Sequence, residues 1–406
     1  MYISGSKPKT CFLAMKIVFK PYLKLIITCI IAALLFAQCK QEYDPQIEAK
    51  ITGFLVVEGF INSGQGPTTI HLSRSTDLDN TALKPEPGAQ VDIEGENGSS
   101  FPLFGNGNGE YSIAQLTLDN NIKYRLQIKT FDGKEYVSDY TAVKYTPPID
   151  SITWQIENDG LRLYANANDP QNNTKYYQWK YEETWEFHSA YYNDLKYIID
   201  PVTTDPVGVA YKYPDQHNDT TIYKCWNTLN SSTIILGSTE KLTSDLVYLP
   251  VQYIEPHSEK LSVLYSINLR QYAISHDEYL FLQKMKKNTE QLGTIFDPQP
   301  SEISGNIHCL TDSNETVIGH VEVSQEQVKR IFISNSQVPG WNYDPGCLFF
   351  EIANNPDSIE QHGVGLMPTF AAKTDPLGGI ISFYASTPQC VDCTLRGVHQ
   401  KPDFWP

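Results

Sequence analysis

The chain has 406 residues, longer than one hydrophobic core usually grows, so about two domains are expected. Tyrosine (25) and phenylalanine (17) far outnumber methionine (4), a balance that suits sheets better than helical bundles. The first 39 residues hold five lysines and no acid; beyond them 26 basic side chains face 47 acidic ones, a formal charge of −21 that repels nucleic-acid phosphates and anionic headgroups and argues against a nucleic-acid partner.

The chain opens on a leader. From Met15, the expected start, Lys16, Lys20 and Lys24 form a basic stretch, and Leu25 to Ala37 is apolar and free of charge. That run is too short to span a bilayer of roughly 30 Å as a helix, but has the length of a signal-peptide core. Residues 1–38 are therefore expected to be a signal peptide. Leu35-Phe36-Ala37-Gln38-Cys39 has the order of a lipobox, with Ala37 typical of one and Phe36 and Gln38 not. Lipidation of Cys39 would anchor the protein to a membrane, each buried CH₂ adding about 0.8 kcal/mol. An ordinary leader with an incidental cysteine is the alternative. Residues 39–49 read as the lipidated cysteine and a linker, in which Glu42 and Asp44 resemble a short acidic surface-export signal, a plain flexible tether being the alternative.

Alternation of apolar and polar residues then marks strands. Phe54, Val56 and Phe60 share one side; TTIHLSRS (68–75), AQVDIEGENG (89–98), KYRLQIKT (123–130) and KEYVSDYTAV (134–143) follow. Asp132-Gly133 between the last two is a hairpin signal. Residues 50–146 are thus expected to form an immunoglobulin-like β-sandwich. Thr146-Pro147-Pro148 marks the boundary. Residues 147–336 read as a second, fibronectin-like β domain, with a polar, irregular insertion at 188–222. One helix, 275–293, interrupts it: Ser275 and Glu278 form a capping box, Tyr279, Leu282 and Met285 follow at helical spacing, and Gly293 ends it. Segments GNIHCL, VIGHVEVS and KRIFIS are expected to resume the second domain. Residues 337–406 are rich in Gly, Pro and Cys and read as a loop-rich cap stapled to it. The expected fold is therefore mainly β: two immunoglobulin- or fibronectin-like sandwiches, one inserted helix and a disulfide-stapled C-terminal cap.

Five cysteines follow the leader: Cys225, Cys309, Cys347, Cys390 and Cys393. Cys390 and Cys393 lack the strand–helix context of a redox pair, and no second pair completes a zinc site. An exported protein meets an oxidising compartment, so structural disulfides are expected. Spacing does not determine connectivity; the favoured arrangement pairs Cys225 with Cys309 and Cys347 with Cys390 or Cys393, leaving one thiol.

No Gly-X-Ser-X-Gly elbow occurs, and Gly105-Asn106-Gly107-Asn108-Gly109 lacks the lysine and helix of a phosphate loop. Nine histidines are scattered without a His-X-X-X-His or Glu-X-X-His pair, so neither catalytic residues, a metal nor a cofactor are expected. The Asn/Asp-rich stretch 166–173 reads as a turn. Residues 174–194 are crowded with aromatics. Alternate members belong in a sandwich core, and Tyr177, Trp179, Tyr181 and Trp185 are also candidates for an exposed binding face. Asp150-Ser151-Ile152, Asp219-Thr220-Thr221 and Asp357-Ser358-Ile359 resemble O-glycosylation sites of exported Bacteroidota proteins, which would place sugars on Ser151, Thr220 and Ser358.

Several segments carry a family resemblance. They are Cys225-Trp226; Tyr265-Ser266-Ile267 and Gln271 to Ser275; Lys287 to Glu290 leading into Phe296-Asp297-Pro298-Gln299-Pro300-Ser301; Gly305-Asn306-Ile307 before Cys309; Ile318-Gly319; Lys329 to Ile333; Cys390-Val391-Asp392-Cys393-Thr394; and Lys401-Pro402-Asp403-Phe404-Trp405. In this order they resemble the Bacteroidota lipoprotein family called "domain of unknown function 4249", over most of residues 48–406. The resemblance implies an outer-membrane lipoprotein, facing the cell surface or the periplasm, found beside a TonB-dependent receptor. It implies no chemistry. The favoured expectation is a non-enzymatic accessory or ligand-binding partner of that receptor. A surface adhesin or structural module, and a surface hydrolase or redox protein, are the alternatives.

Overall fold

The computed structural model describes residues 53–76, 84–213, 215, 218–290 and 305–406, and the statements below concern these. The leader, Cys39, the linker and Gly293 lie outside them.

The first strands are β1 (Leu55–Asn62), β2 (Thr68–Arg74), β3 (Lys84–Pro85), β4 (Gln90–Gly95), β5 (Ser100–Gly105), β6 (Glu110–Ile113), β7 (Lys123–Lys129), β8 (Glu135–Ser138) and β9 (Thr141–Ala142). Their period-two patterns translate directly into faces. In β7, Tyr124, Leu126 and Ile128 are buried while Lys123 and Lys129 are exposed. The Asp-Gly hairpin forms as expected: Gly133 takes φ +87°, where L side chains are strained, and donates to the Thr130 carbonyl at 2.9 Å.

Past Thr146-Pro147-Pro148 run β10 (Ile149–Glu157), β11 (Gly160–Asp169), β12 (Tyr176–His188), β13 (Leu195–Ile199), β14 (Pro206–Tyr211), β15 (Lys224–Asn230), β16 (Ile235–Ser238), β17 (Asp245–Ile254) and β18 (Leu264–Ala273). Helix α1 (His276–Glu290) follows, then β19 (Ile307–Cys309), β20 (Val317–Ile318), β21 (Val323–Ser324) and β22 (Gln327–Ser334). A three-stranded sheet, β10-β11-β17, faces a five-stranded one, in which β15 and β16 both pair with β12 and the order continues β18-β22. Leu161, Leu163 and Val247 from one sheet meet Trp179, Phe187, Tyr265 and Ile267 from the other in a single core. This is the expected second sandwich.

Residues 307–324 behave differently from the expectation that they resume the second sandwich. β19 pairs antiparallel with β8, and β20 and β21 pair in parallel with β1. The N-terminal sheet thus has twelve strands, and its main path begins with β19 and ends with β20. One returning segment covers both edges of the first sheet. Its apolar residues, Ile307, Val317, Val321 and Val323, complete the first core. The physical reason is edge pairing: an unpaired strand edge offers a row of backbone donors and acceptors, and short strands arriving later in the chain satisfy it.

The C-terminal lobe comprises β23 (Phe349–Ala353), α2 (Pro356–His362), β24 (Met367–Thr374), β25 (Ile380–Ser386) and α3 (Pro388–Val391). It is more ordered than a loop-rich cap. Its three strands pair in the order β23-β25-β24, and its small core also takes Leu195 and Val209 from the β13–β14 hairpin. The 188–222 insertion is therefore the other half of this lobe. No helix among the described residues is long and apolar enough to cross a membrane.

Candidate functional site

The cysteines pair as Cys225–Cys393 and Cys347–Cys390, with Cα atoms 5.7 and 5.8 Å apart, and Cys309 is a buried free thiol. The expected Cys225–Cys309 bridge is excluded because the two lie in different cores: Cys225 and Cys393 in the second sandwich, Cys309 in the first. Cys390 and Cys393 bond to different partners. One bridge closes the lobe and the other ties it to β15. The Cys309 Sγ sits 3.3 Å from the Thr311 hydroxyl.

Tyr177, Trp179, Tyr181 and Trp185 are all buried, so the binding-face alternative for them gives way to core packing. The sheet at β12 is covered by β10-β11-β17, and the aromatics turned toward it leave solvent. Two of them are matched by polar partners: Tyr177 donates to Asp245, and Trp179 Nε1 donates to Gln271 Oε1 at 2.8 Å, while the buried Trp185 Nε1 has no hydrogen-bond partner. Of the three glycosylation candidates, Thr220 is exposed, while Ser151 and Ser358 are half-buried. Asp169 accepts from the backbone amides of Gln171, Asn173 and Thr174, the expected turn.

Where α1 meets the first sandwich, three side chains converge that the sequence reading did not bring together: Glu278, His320 and Glu322, whose ligating atoms all lie within 4.8 Å of one another. Two local devices put them there. Ser275 accepts from the Glu278 amide at 3.0 Å, one half of the expected capping box. The other half is taken over by Glu322, whose Oε2 accepts from the Ser275 amide at 2.9 Å. The Glu278 carboxyl is therefore not turned back onto its own helix end. On the other side, Gly319 has φ +154°, and a Cβ on it would lie 2.4 Å from the Val57 carbonyl oxygen. Only glycine lets this segment pass so close to β1. His320 and Glu322 then emerge two residues apart, on one side of an extended segment.

Glu278 is 6 % exposed and Glu322 4 %. His320 rests against the Phe281 ring, 5.6 Å between centroids, and its Nδ1 is buried with no hydrogen-bond partner. Burial, and then the neighbouring Glu322 charge, pushes the Glu278 carboxyl well above the usual range. Burial lowers the His320 pKa against the opposing pull of Glu322, Asp277 and Asp139. A cleft of about 340 Å³, lined by Trp179, Lys180, Phe281, Met285 and Gly319 among others, opens onto Glu278 and His320. A second, of about 520 Å³, reaches His320 and Glu322 past Asp139, Asp277 and Asn306. Sequence reasoning missed the group because its signal is split between a helix start and a strand-like His-X-Glu, neither of which matches a contiguous ligand motif.

A second feature lies on the lobe. Leu348 (72 % exposed), Val364 (78 %), Phe349 and Phe350 stand in solvent. The Phe349 ring meets Tyr384 edge-on at 4.7 Å and Tyr191 at 5.4 Å, which holds it in place. A shallow hollow of about 670 Å³ is lined by Phe349, Phe350, Glu351, His362, Val364 and Leu366. β23, which carries the two phenylalanines, is an edge strand.

No curated protein matches the chain. Among solved structures, trypsin-activated alpha-2-macroglobulin from Escherichia coli is 13 % identical, with a TM-score of 0.18 over 56 % of this chain and 15 % of that one. A putative carbohydrate-binding protein from Bacteroides uniformis is 9 % identical, with a TM-score of 0.14 over 55 % of this chain and 90 % of that one. The B domain of a biofilm-associated protein is 7 % identical, with a TM-score of 0.15 over 70 % of this chain and 86 % of that one. The chain thus spans a small part of the first of these, and scores this low carry no argument. A family profile, in contrast, matches residues 40–330, which include the strands from β1 to β21 and all three members of the Glu278–His320–Glu322 group. The chain belongs to the family described as "Domain of unknown function (DUF4249)".

Proposed function

We propose that this chain is a non-enzymatic outer-membrane lipoprotein, anchored through Cys39, that serves as an accessory or ligand-binding partner of a TonB-dependent receptor. The observation that carries the reading is the solvent-facing apolar surface on the C-terminal lobe. Leu348, Phe349, Phe350 and Val364 are exposed together beside an open strand edge. Contiguous apolar patches on exported proteins mark contact surfaces, and rigid aromatics dominate binding energy in such contacts. The two disulfides support it, since they hold the lobe's shape without a large core of its own. The leader, with its basic stretch, short apolar run and cysteine, is the basis for the anchor.

The test is co-purification. The tagged full chain, recovered from detergent-solubilised outer membrane, is expected to bring a TonB-dependent receptor with it. Phe349→Asp together with Phe350→Asp should reduce that recovery at least tenfold while leaving the amount of chain in the membrane unchanged. Recovery as a lone protein would count decisively against the reading. Separately, radiolabelled palmitate should enter the chain and fail to enter Cys39→Ala.

A further inference from the structure

We propose that Glu278, His320 and Glu322 form a binding site for one divalent first-row transition cation, of the zinc or manganese type, which fastens helix α1 to the N-terminal sandwich.

Four observations carry it. The donors converge: one imidazole and two carboxylates offer atoms within 4.8 Å of each other, close enough for side-chain adjustments of roughly an ångström to gather them around one ion with bonds of about 2.1 Å. The carboxylates are buried, and among the described residues neither forms a salt bridge, the Lys180 and Lys144 charges acting on Glu278 only from further away. Two acids buried side by side without a cation are costly, and a bound dication removes that cost. The Nδ1 of His320 is buried without a hydrogen-bond partner, beside the two carboxyls. Finally, the cleft beside Glu278 and His320 leaves space for a water at the remaining position.

The donor set selects the class of ion. Calcium and magnesium favour six or more oxygen ligands, and an imidazole among three donors shifts preference toward zinc, manganese or iron. The site also has an outer layer. The Ser275 amide holds Glu322, the Asn306 side chain grips both backbone faces of Val321 between the two ligands, and Phe281 backs the imidazole. Such support orients ligands before the ion arrives. Glu278 belongs to α1 and the other two to the segment that completes the first sandwich, so an ion here bridges elements that share no sheet.

The test uses the full chain in detergent, stripped with a chelator and titrated at pH 7 with Zn²⁺, Mn²⁺, Ca²⁺ or Mg²⁺ separately. Zn²⁺ or Mn²⁺ is expected to bind at one ion per chain by calorimetry and to raise the melting temperature by about 5 °C at saturation. Ca²⁺ and Mg²⁺ are expected to do neither. Glu278→Gln keeps the helix cap, which uses only the Glu278 backbone amide, and is expected to weaken the ion's binding at least tenfold with an unchanged circular-dichroism spectrum. His320→Gln should do the same. Absence of stoichiometric Zn²⁺ or Mn²⁺ binding, binding of Ca²⁺ or Mg²⁺ instead, or full binding by Glu278→Gln would each overturn the proposal. Should His320→Gln not fold, Glu278→Gln decides.

Discussion

Single side chains in this protein repeatedly bind sequence-distant pieces together. Glu186 is the clearest case. Its side chain accepts from His188 Nε2 at 3.1 Å and from Trp405 Nε1 at 3.1 Å, and it pairs with Lys224 Nζ at 2.9 Å. Burial pushes this carboxyl up, but those partners outweigh it and hold the pKa down at about 2, against an ordinary 4.5. A depressed carboxyl contributes stability that is present above its ordinary value and lost as pH falls toward the folded one. The contribution is on the order of 2–3 kcal/mol, lost between about pH 4.5 and pH 2. Urea unfolding of the wild type and of Glu186→Gln should therefore differ at pH 6 and converge toward pH 2.5. A gap that stays constant with pH would show that Glu186 acts only through packing. Trp179 works similarly, its Nε1 held by Gln271, which in turn donates to the Pro147 carbonyl at 2.8 Å and so fixes the start of the second sandwich.

At the scale of elements, the two disulfides take over where periodic structure thins out. Cys225–Cys393 spans 168 residues and Cys347–Cys390 spans 43. Closing the longer loop constrains the unfolded chain more, so the double replacement Cys225→Ser and Cys393→Ser is expected to cost roughly 3–5 kcal/mol in chemical denaturation. Thiol titration of the unreduced chain beyond Cys39 should find no reactive thiol when folded and one, Cys309, once unfolded. Two or more would contradict the pairing. The presence of these bridges was legible from five cysteines behind a leader-like segment. Their connectivity was not, because Cys309 and Cys225 are both strand residues with nothing local to say which core each enters. The capping box has the same lesson in miniature: Ser275 and Glu278 announced the helix start, but Glu322, far along the chain, took the reciprocal hydrogen bond.

For the whole molecule, the return of residues 307–324 to the first sheet matters most. The N-terminal sandwich is not a self-contained stretch of chain: β19 covers one edge and β20 and β21 the other. Thr146, at the boundary, is locked into the same seam, its hydroxyl 3.0 Å from that of Ser324 and accepting from the Ala273 amide at 2.9 Å. Residues 50–146 expressed alone are therefore expected to aggregate or to show no cooperative melting transition, since they lack both edge covers and part of their core. A soluble, cooperatively melting fragment would refute this. The same return brings Glu322 and His320 to α1, so the candidate ion site exists only in the assembled fold.

By itself the sequence determined the mainly β character, the positions of most strands, the Asp-Gly hairpin, the start of α1 and the family. All of these rest on local signals, because side-chain period, turn chemistry and capping act over a few residues. The tertiary structure alone decided which strands share a sheet, which cysteines meet, whether the aromatics of β12 face core or solvent, and that a helix glutamate would face a His-X-Glu from the other sandwich. These depend on which surfaces meet after collapse, where burial and edge pairing outweigh any signal carried in a short window.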